Sequence, residues 1–194
     1  MRTVHLLFMS TLFLLAGCVP SLHALYTDET LVFDPAIEGR WQQQDNDYLW
    51  EFVPDAESKS YALTIHEGDD TTSKLIAHLV EIDGQRFFDF YPDRDSPAEI
   101  GFWAAVHLVR THLFLKVHDT EPDIVMSAMV PDTIDKLLKD NPERVRHERL
   151  EDRIVLTDTP SGLQAFVTAG LDIENFFSEP GTLKRITESE PNGP

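Results

Sequence analysis

Short runs of alternating apolar and polar residues, separated by turn formers, fill most of the chain after Gly39. A period of two marks half-buried β-strands, because successive side chains of a strand point to opposite faces. Gly39-Arg40-Trp41-Gln42-Gln43 predicts a first strand and Asp45-Asn46-Asp47 its turn. Tyr48 to Val53 alternates around Trp50 and Phe52, and Ser60 to Glu67 sets Tyr61, Leu63 and Ile65 on one face. Lys74 to Asp83 is apolar on both faces and ends at Asp83-Gly84, a strong hairpin signal. Arg86 to Tyr91 is rich in aromatics and stops at Pro92. Glu99 to Ala105 fits either a short helix or an apolar loop over the core. Val106 to His118 is the most β-like run, and Asp123 to Val130 follows after a turn. Leu31-Val32-Phe33, upstream, fits an edge strand.

The period then changes. Ile134, Leu137 and Leu138 recur at helical spacing after Pro131-Asp132, and Asn141-Pro142 ends that helix. Glu143 to Asp152 is highly charged and reads as a short exposed strand and turn. Arg153 to Thr157 is a strand. Thr159-Pro160 caps a second helix carrying Leu163, Phe166 and Val167, stopped by Gly170. Asp172 to Phe177 fits one more turn, and Gly181 to Ile186 a last strand. The expected class is mainly β. An antiparallel meander of about eight or nine strands forms a barrel-like or strongly curved sheet, with two or three short helices in the C-terminal third. Closure would remove the exposed edges that invite strand-to-strand aggregation.

The N-terminus follows a different pattern. Met1-Arg2-Thr3 is basic, and Val4 to Leu15 is a mostly apolar run. That is roughly a dozen residues, the length of a signal-peptide core and short of the roughly 20 that span a bilayer. It ends in Leu15-Ala16-Gly17-Cys18, which resembles the lipobox of bacterial lipoproteins. The resemblance implies a cut before Cys18, with acyl chains on its sulfur and on the new amine. Two or three chains on one residue hold a protein stably where one does not. Val19 stands where, in Gram-negative relatives of this pattern, an aspartate would favour the inner membrane, so it leans towards the outer one. The expected organisation is a signal peptide over 1–17, a lipidated N-terminus and tether over 18–38, a single β-rich domain over 39–186 and a disordered tail over 187–194.

Composition narrows the function classes. The formal charge is -18. Loss of Arg2 with the signal peptide makes the mature chain about -19. Such a charge repels nucleic acid and anionic headgroups, so the expected membrane partner is reached through the acyl chains and not through a basic patch. Cys18 is the only cysteine; once acylated it leaves no disulfide, thiolate metal site or cysteine nucleophile. The 177 residues left suffice for one domain with its own core, which twelve Phe, three Trp and four Tyr can fill.

Histidine is the remaining candidate chemistry. His107, His112 and His118 fall in one β-like run, where only His112 and His118 share a face. Six residues of strand separate those two by about 20 Å, too far to chelate one ion. His112 between Arg110 and Lys116 suits an anionic ligand. His78 shares a face with Ile76, Val80 and Ile82 and reads as partly buried and hydrogen-bonded. No G-x-S-x-G occurs. Asp45-Asn46-Asp47 and Asp69-Asp70 read as turn residues rather than a calcium loop, so no metal and no cofactor is expected.

Gly39-Arg40-Trp41 resembles the G-x-W of lipocalins and other calycins. In those barrels the Trp closes one end under a basic residue from the last strand, a part that Lys184 or Arg185 fills here by analogy. The helices between Pro131 and Gly170 depart from the simple lipocalin order. A broader resemblance runs over residues 39–186, through Ala77-His78-Leu79, Phe87-Phe88-Asp89-Phe90-Tyr91-Pro92, Thr111 to Val117, and Ile154 to Thr157 leading to Leu163-Gln164-Ala165-Phe166. These stretches look like a family of bacterial envelope proteins, often lipoproteins, with no assigned function.

The expected function is a membrane-anchored binding or accessory protein of the cell envelope, taking a small apolar molecule or an envelope protein. A cavity or groove lined by Trp41, Trp50, Phe88, Phe90 and Phe114 would serve the former, with His78, Thr111, His112, Trp41 and Phe90 as candidate ligand contacts. One alternative is an envelope enzyme using His112 with a nearby carboxylate. Another is a structural partner in outer-membrane assembly.

Overall fold

Eight antiparallel strands close on themselves into a barrel. The computed structural model describes residues 18–68, 71–93, 107–151 and 153–187. The strands are β2 (Gly39–Gln43), β3 (Leu49–Asp55), β4 (Ser60–Gly68), β5 (Thr71–Ile82), β6 (Gln85–Pro92), β7 (Leu113–Asp119), β8 (Ile124–Ala128) and β11 (Gly181–Arg185). β2 to β8 form a meander, and β11 inserts between β8 and β2 to complete the ring. A two-residue β1 (Leu31–Val32) pairs with β5. Between β8 and β11 come α1 (Pro131–Asp140), the separate hairpin β9 (His147–Leu150) and β10 (Arg153–Leu156), and α2 (Pro160–Gly170).

The alternation sorts side chains into two cores. Inward residues such as Phe52, Leu63, Leu79, Phe88, Phe90 and Leu183 fill the barrel. Outward residues of β5, β6 and β7, among them Val80, Phe87 and Phe114, meet Leu25, α1, α2 and Phe176 in a second core outside the wall. β5 and β6 are apolar on both faces because both of their faces are covered. The β5–β6 turn uses Asp83 at φ 52 and Gly84 at φ 78, the left-handed pair that a two-residue hairpin requires. α1 carries Pro131 in its first turn, and α2 is capped by Thr159, whose hydroxyl accepts from the Gly162 amide.

Three expectations need correction. Of the run Val106 to His118, described from His107 on, only the part from Leu113 is strand, because the ladder with β6 begins at Phe90↔Leu113. His112 sits just before it, in a single bridge to Ser21. Phe114 faces the outer core, not a cavity shared with Phe88 and Phe90. Residues 18–38, expected to be a tether, are packed: Val19, Ser21, Leu25 and Ile37 are all buried. The signal segment 1–17, Asp69-Asp70, Glu99 to Ala105 and the tail beyond Thr187 lie outside the described residues.

Candidate functional site

The N-terminal segment crosses the outer wall over β5, β6 and β7, and the polar chemistry lies beneath it. Ser21 and His112 exchange two backbone hydrogen bonds, at 2.9 and 2.8 Å. The Leu156 amide donates to the Pro20 carbonyl, and Leu22 donates back to Leu156. The segment then turns along β6 and β5, where the Glu81 amide donates to Thr30.

Asp89 is the centre of the arrangement. It points outward from β6, between the inward Phe88 and Phe90, and is fully buried. One oxygen accepts from the Leu25 amide at 2.8 Å. The other meets His112 Nδ1 at 2.7 Å. With Asp89 as acceptor of both bonds, the proton of that contact sits on His112 Nδ1. Nε2 is then the nitrogen left to act on whatever approaches. His112 is only 12% exposed. Directly across the ladder from Asp89 stands His78 on β5.

Two tyrosines complete the group. Tyr26 lies over His78 with ring centroids 4.2 Å apart, and Tyr91 over His112 at 4.4 Å. His78 Nδ1 is buried without a hydrogen-bond partner. Burial lowers the His78 pKa, with the Asp89 carboxylate pulling the other way and His112 adding to the fall. Burial raises the Tyr26 pKa, reinforced by the Asp89 charge. The result is a buried carboxylate holding one imidazole in a fixed tautomer, a second imidazole kept neutral by its surroundings, and two phenols alongside.

The candidate ligand contacts divide into two places. His78 and His112 belong to this outer site, and Thr111, half-buried, only precedes His112 in the chain. Trp41 and Phe90 lie in the barrel core. There Phe90 sits 5.3 Å from Phe88 and 5.9 Å from Trp50, and Phe52 continues the stack at 5.9 Å from Phe88. Trp41 is fully buried there. Its Nε1 donates to the Ile37 carbonyl at 3.0 Å, and the Arg185 guanidinium lies 4.0 Å from its ring. Sequence reasoning missed Asp89, which read only as part of an aromatic strand. The signal was a lone carboxylate in the run Phe87 to Tyr91, where only a satisfied acid can be buried.

Elsewhere a cleft of about 310 Å³ opens where β6 and β7 part, lined by Gly84, Arg86, Lys116, His118 and Thr120 among others. Its cations are engaged. Arg86 pairs with Asp34 at 3.0 Å and Glu81 at 3.4 Å, Lys116 lies over Phe177, and His118 bonds Ser127. Among the described residues no three His, Cys, Asp or Glu gather as a metal site, and no helix is long and apolar enough to cross a membrane. Comparisons with protein-family models, curated proteins and solved structures find no match to this chain.

Proposed function

We propose that this chain is a bacterial envelope lipoprotein, anchored by acyl chains on Cys18, that serves as a binding or accessory protein of the envelope. The observation that carries the reading is the place of Cys18. Its side chain is exposed, and the next residue, Val19, is 4% exposed and packed in the outer core. An exposed sulfur joined directly to a buried residue offers acyl chains an attachment point at the surface of the fold. Valine at position 19 supports the outer membrane in a two-membrane cell. Trp41 under Arg185 supports a calycin-like barrel. The stacked aromatic rings inside it favour a partner engaged from outside, an envelope protein, over a small apolar molecule held within. The test is mass spectrometry of the protein recovered from membranes of cells expressing the full chain. A mature N-terminus at Cys18 carrying diacylglycerol is expected; an unmodified Cys18 in the mature protein overturns the reading.

A second reading is an envelope enzyme in which Asp89 orients His112 as a general base. The 2.7 Å contact favours it. Activity on ester, amide, glycoside or phosphate substrates that disappears in His112→Asn, with unchanged thermal unfolding, supports this reading. Inactivity of the wild type on all four sinks it.

A further inference from the structure

We propose that residues 23–29 form a flap over the Asp89–His112 site, hinged at both ends and opened when His78 takes up a proton. Its action requires neither acylation of Cys18 nor catalysis at His112. Before the flap, the backbone of Ser21 is bonded to His112 and that of Leu22 to Leu156. After it, the Thr30 carbonyl accepts from the Glu81 amide, and Leu31 and Val32 pair with β5. Between these hinges the chain has neither helix nor strand. Among the described residues, two hydrogen bonds join 23–29 to the wall and the helices, and both are made by Leu25. Its amide donates to Asp89 at 2.8 Å, and its carbonyl accepts from the Gln164 side chain of α2 at 2.8 Å.

The third attachment is a ring contact, and it touches a group that lacks a partner. Tyr26 lies over His78 with centroids 4.2 Å apart, and His78 Nδ1 is buried without a hydrogen bond. A neutral imidazole tolerates this by carrying its proton on Nε2. An imidazolium carries a proton on both nitrogens, so its Nδ1–H is buried without an acceptor. The groups around His78 do not remove the conflict. From β6 come Asp89, whose two oxygens are engaged by Leu25 and His112, and Tyr91, whose ring lies over His112. From the flap come Tyr26 and the Asp28 charge near it, and β4 presents the uncharged Ser60 across the ladder. Burial lowers the His78 pKa; the Asp89 charge opposes the fall without cancelling it, and His112 adds to it. His112 itself is no competing sensor. Its Nδ1 already donates to Asp89, so a proton on Nε2 leaves that bond in place.

Lifting the flap resolves the conflict. Tyr26 leaves the imidazole, water reaches Nδ1, and Asp89 exchanges the Leu25 amide for water. His78 then titrates near the ordinary histidine value of about 6.5. The open state binds a proton that the closed state resists. The closed flap is therefore fully favoured above that value. Below it the opening equilibrium rises by up to about tenfold per pH unit, until the closed-state pKa is reached. The barrel core contains no residue of 18–30, so the flap can open while the barrel stays shut. Opening uncovers Asp89, and with it the imidazole that Asp89 orients.

The test is hydrogen exchange of the full chain at pH 7.5, 6.5 and 5.5, read by mass spectrometry and corrected for the pH dependence of the intrinsic rate. Peptides reporting the Leu25 amide are compared with β4, whose Tyr61, Leu63 and Ile65 lie in the barrel core. Between pH 6.5 and 5.5 the wild type is expected to lose about five- to tenfold of its protection at Leu25, with β4 unchanged. In His78→Phe that loss should disappear, because a ring remains against Tyr26 and the proton site does not. Tyr26→Ala uncovers His78 at every pH, so its Leu25 amide should exchange quickly at pH 7.5 and change little on acidification. Equal loss of protection at Leu25 and β4 in the wild type overturns the proposal, because the whole fold then opens. A loss of undiminished size in His78→Phe overturns it too. If His78→Phe does not fold, Tyr26→Ala decides, and an undiminished pH dependence there overturns the proposal.

Discussion

Arg185 lies over the indole of Trp41 and ties it to the segment that precedes the barrel. The guanidinium is 4.0 Å from the ring centroid, and its two terminal nitrogens donate to the carbonyls of Glu38, at 3.0 Å, and Ala36. Trp41 Nε1 donates to Ile37 in the same turn. One cation thus clamps the first barrel strand, the last barrel strand and the short 3-10 helix Pro35–Ile37. Arg185→Ala removes the cation–π contact and leaves two carbonyls to find water. The expected loss is roughly 2 to 4 kcal/mol, read by urea unfolding. Arg185→Lys should recover only part, because an ammonium cannot lie flat on the ring while serving two carbonyls.

Gly39 has φ +125, and a Cβ built there would stand 3.1 Å from an Arg185 terminal nitrogen. Gly39→Ala therefore strains the backbone and pushes against the clamp. We expect a loss of about 1 to 3 kcal/mol, with Trp41 emission shifted red as its cover loosens. Unchanged stability and emission would show that the clamp yields freely.

Asp89 satisfies the Leu25 amide as well as His112. Asp89→Ala leaves a buried amide without an acceptor and is expected to cost about 1 to 3 kcal/mol or more. The diagnostic is local. Hydrogen exchange at Leu25 should accelerate far more than at Leu63 on β4, because the N-terminal segment loosens before the barrel opens.

Stability should fall on mild acidification. Burial lowers the His78 pKa in the fold, so below the ordinary histidine range the unfolded chain binds a proton that the folded chain resists. Stability is then full above about 6.5 and declines as pH drops, by up to about 1.4 kcal/mol per unit, until the folded-state pKa is reached. His118 contributes in the same direction, its pKa lowered by burial and by Lys116. His78→Phe keeps a ring against Tyr26 and removes the proton site. Its melting temperature should vary less between pH 7 and 5 than that of the wild type.

The barrel was legible because alternation is a direct trace of one buried face. Tyr61, Leu63 and Ile65 are all inward, as their spacing demands. Asp83-Gly84 marked its turn because so few residue pairs accept left-handed backbone. What covers the outer wall was less legible. Residues 18–30 carry no period, since a segment bonded to Leu156, His112, Asp89 and Glu81 in succession follows the wall rather than its own geometry. The start of β7 depended on the N-terminal segment, because the backbone of His112 pairs with Ser21 while β6 runs on to Pro92 beside β5 alone. His112 was visible as a candidate, but its partner comes from another strand, and sequence spacing carries no information about that meeting.

The position of β11 has a consequence for how the molecule comes into being. Its ladder partners, β8 and β2, are both complete long before Gly181 is synthesised. Until that strand arrives, β2 and β8 each present an unpaired edge, and Trp41 lacks Arg185. Loop closure of this range is entropically slow, and contacts between chain ends form late. A chain emerging from the ribosome therefore lacks its closing strand until every other barrel strand has been made. The order of the strands itself makes closure of the barrel the last step, whatever the speed at which the earlier hairpins pair.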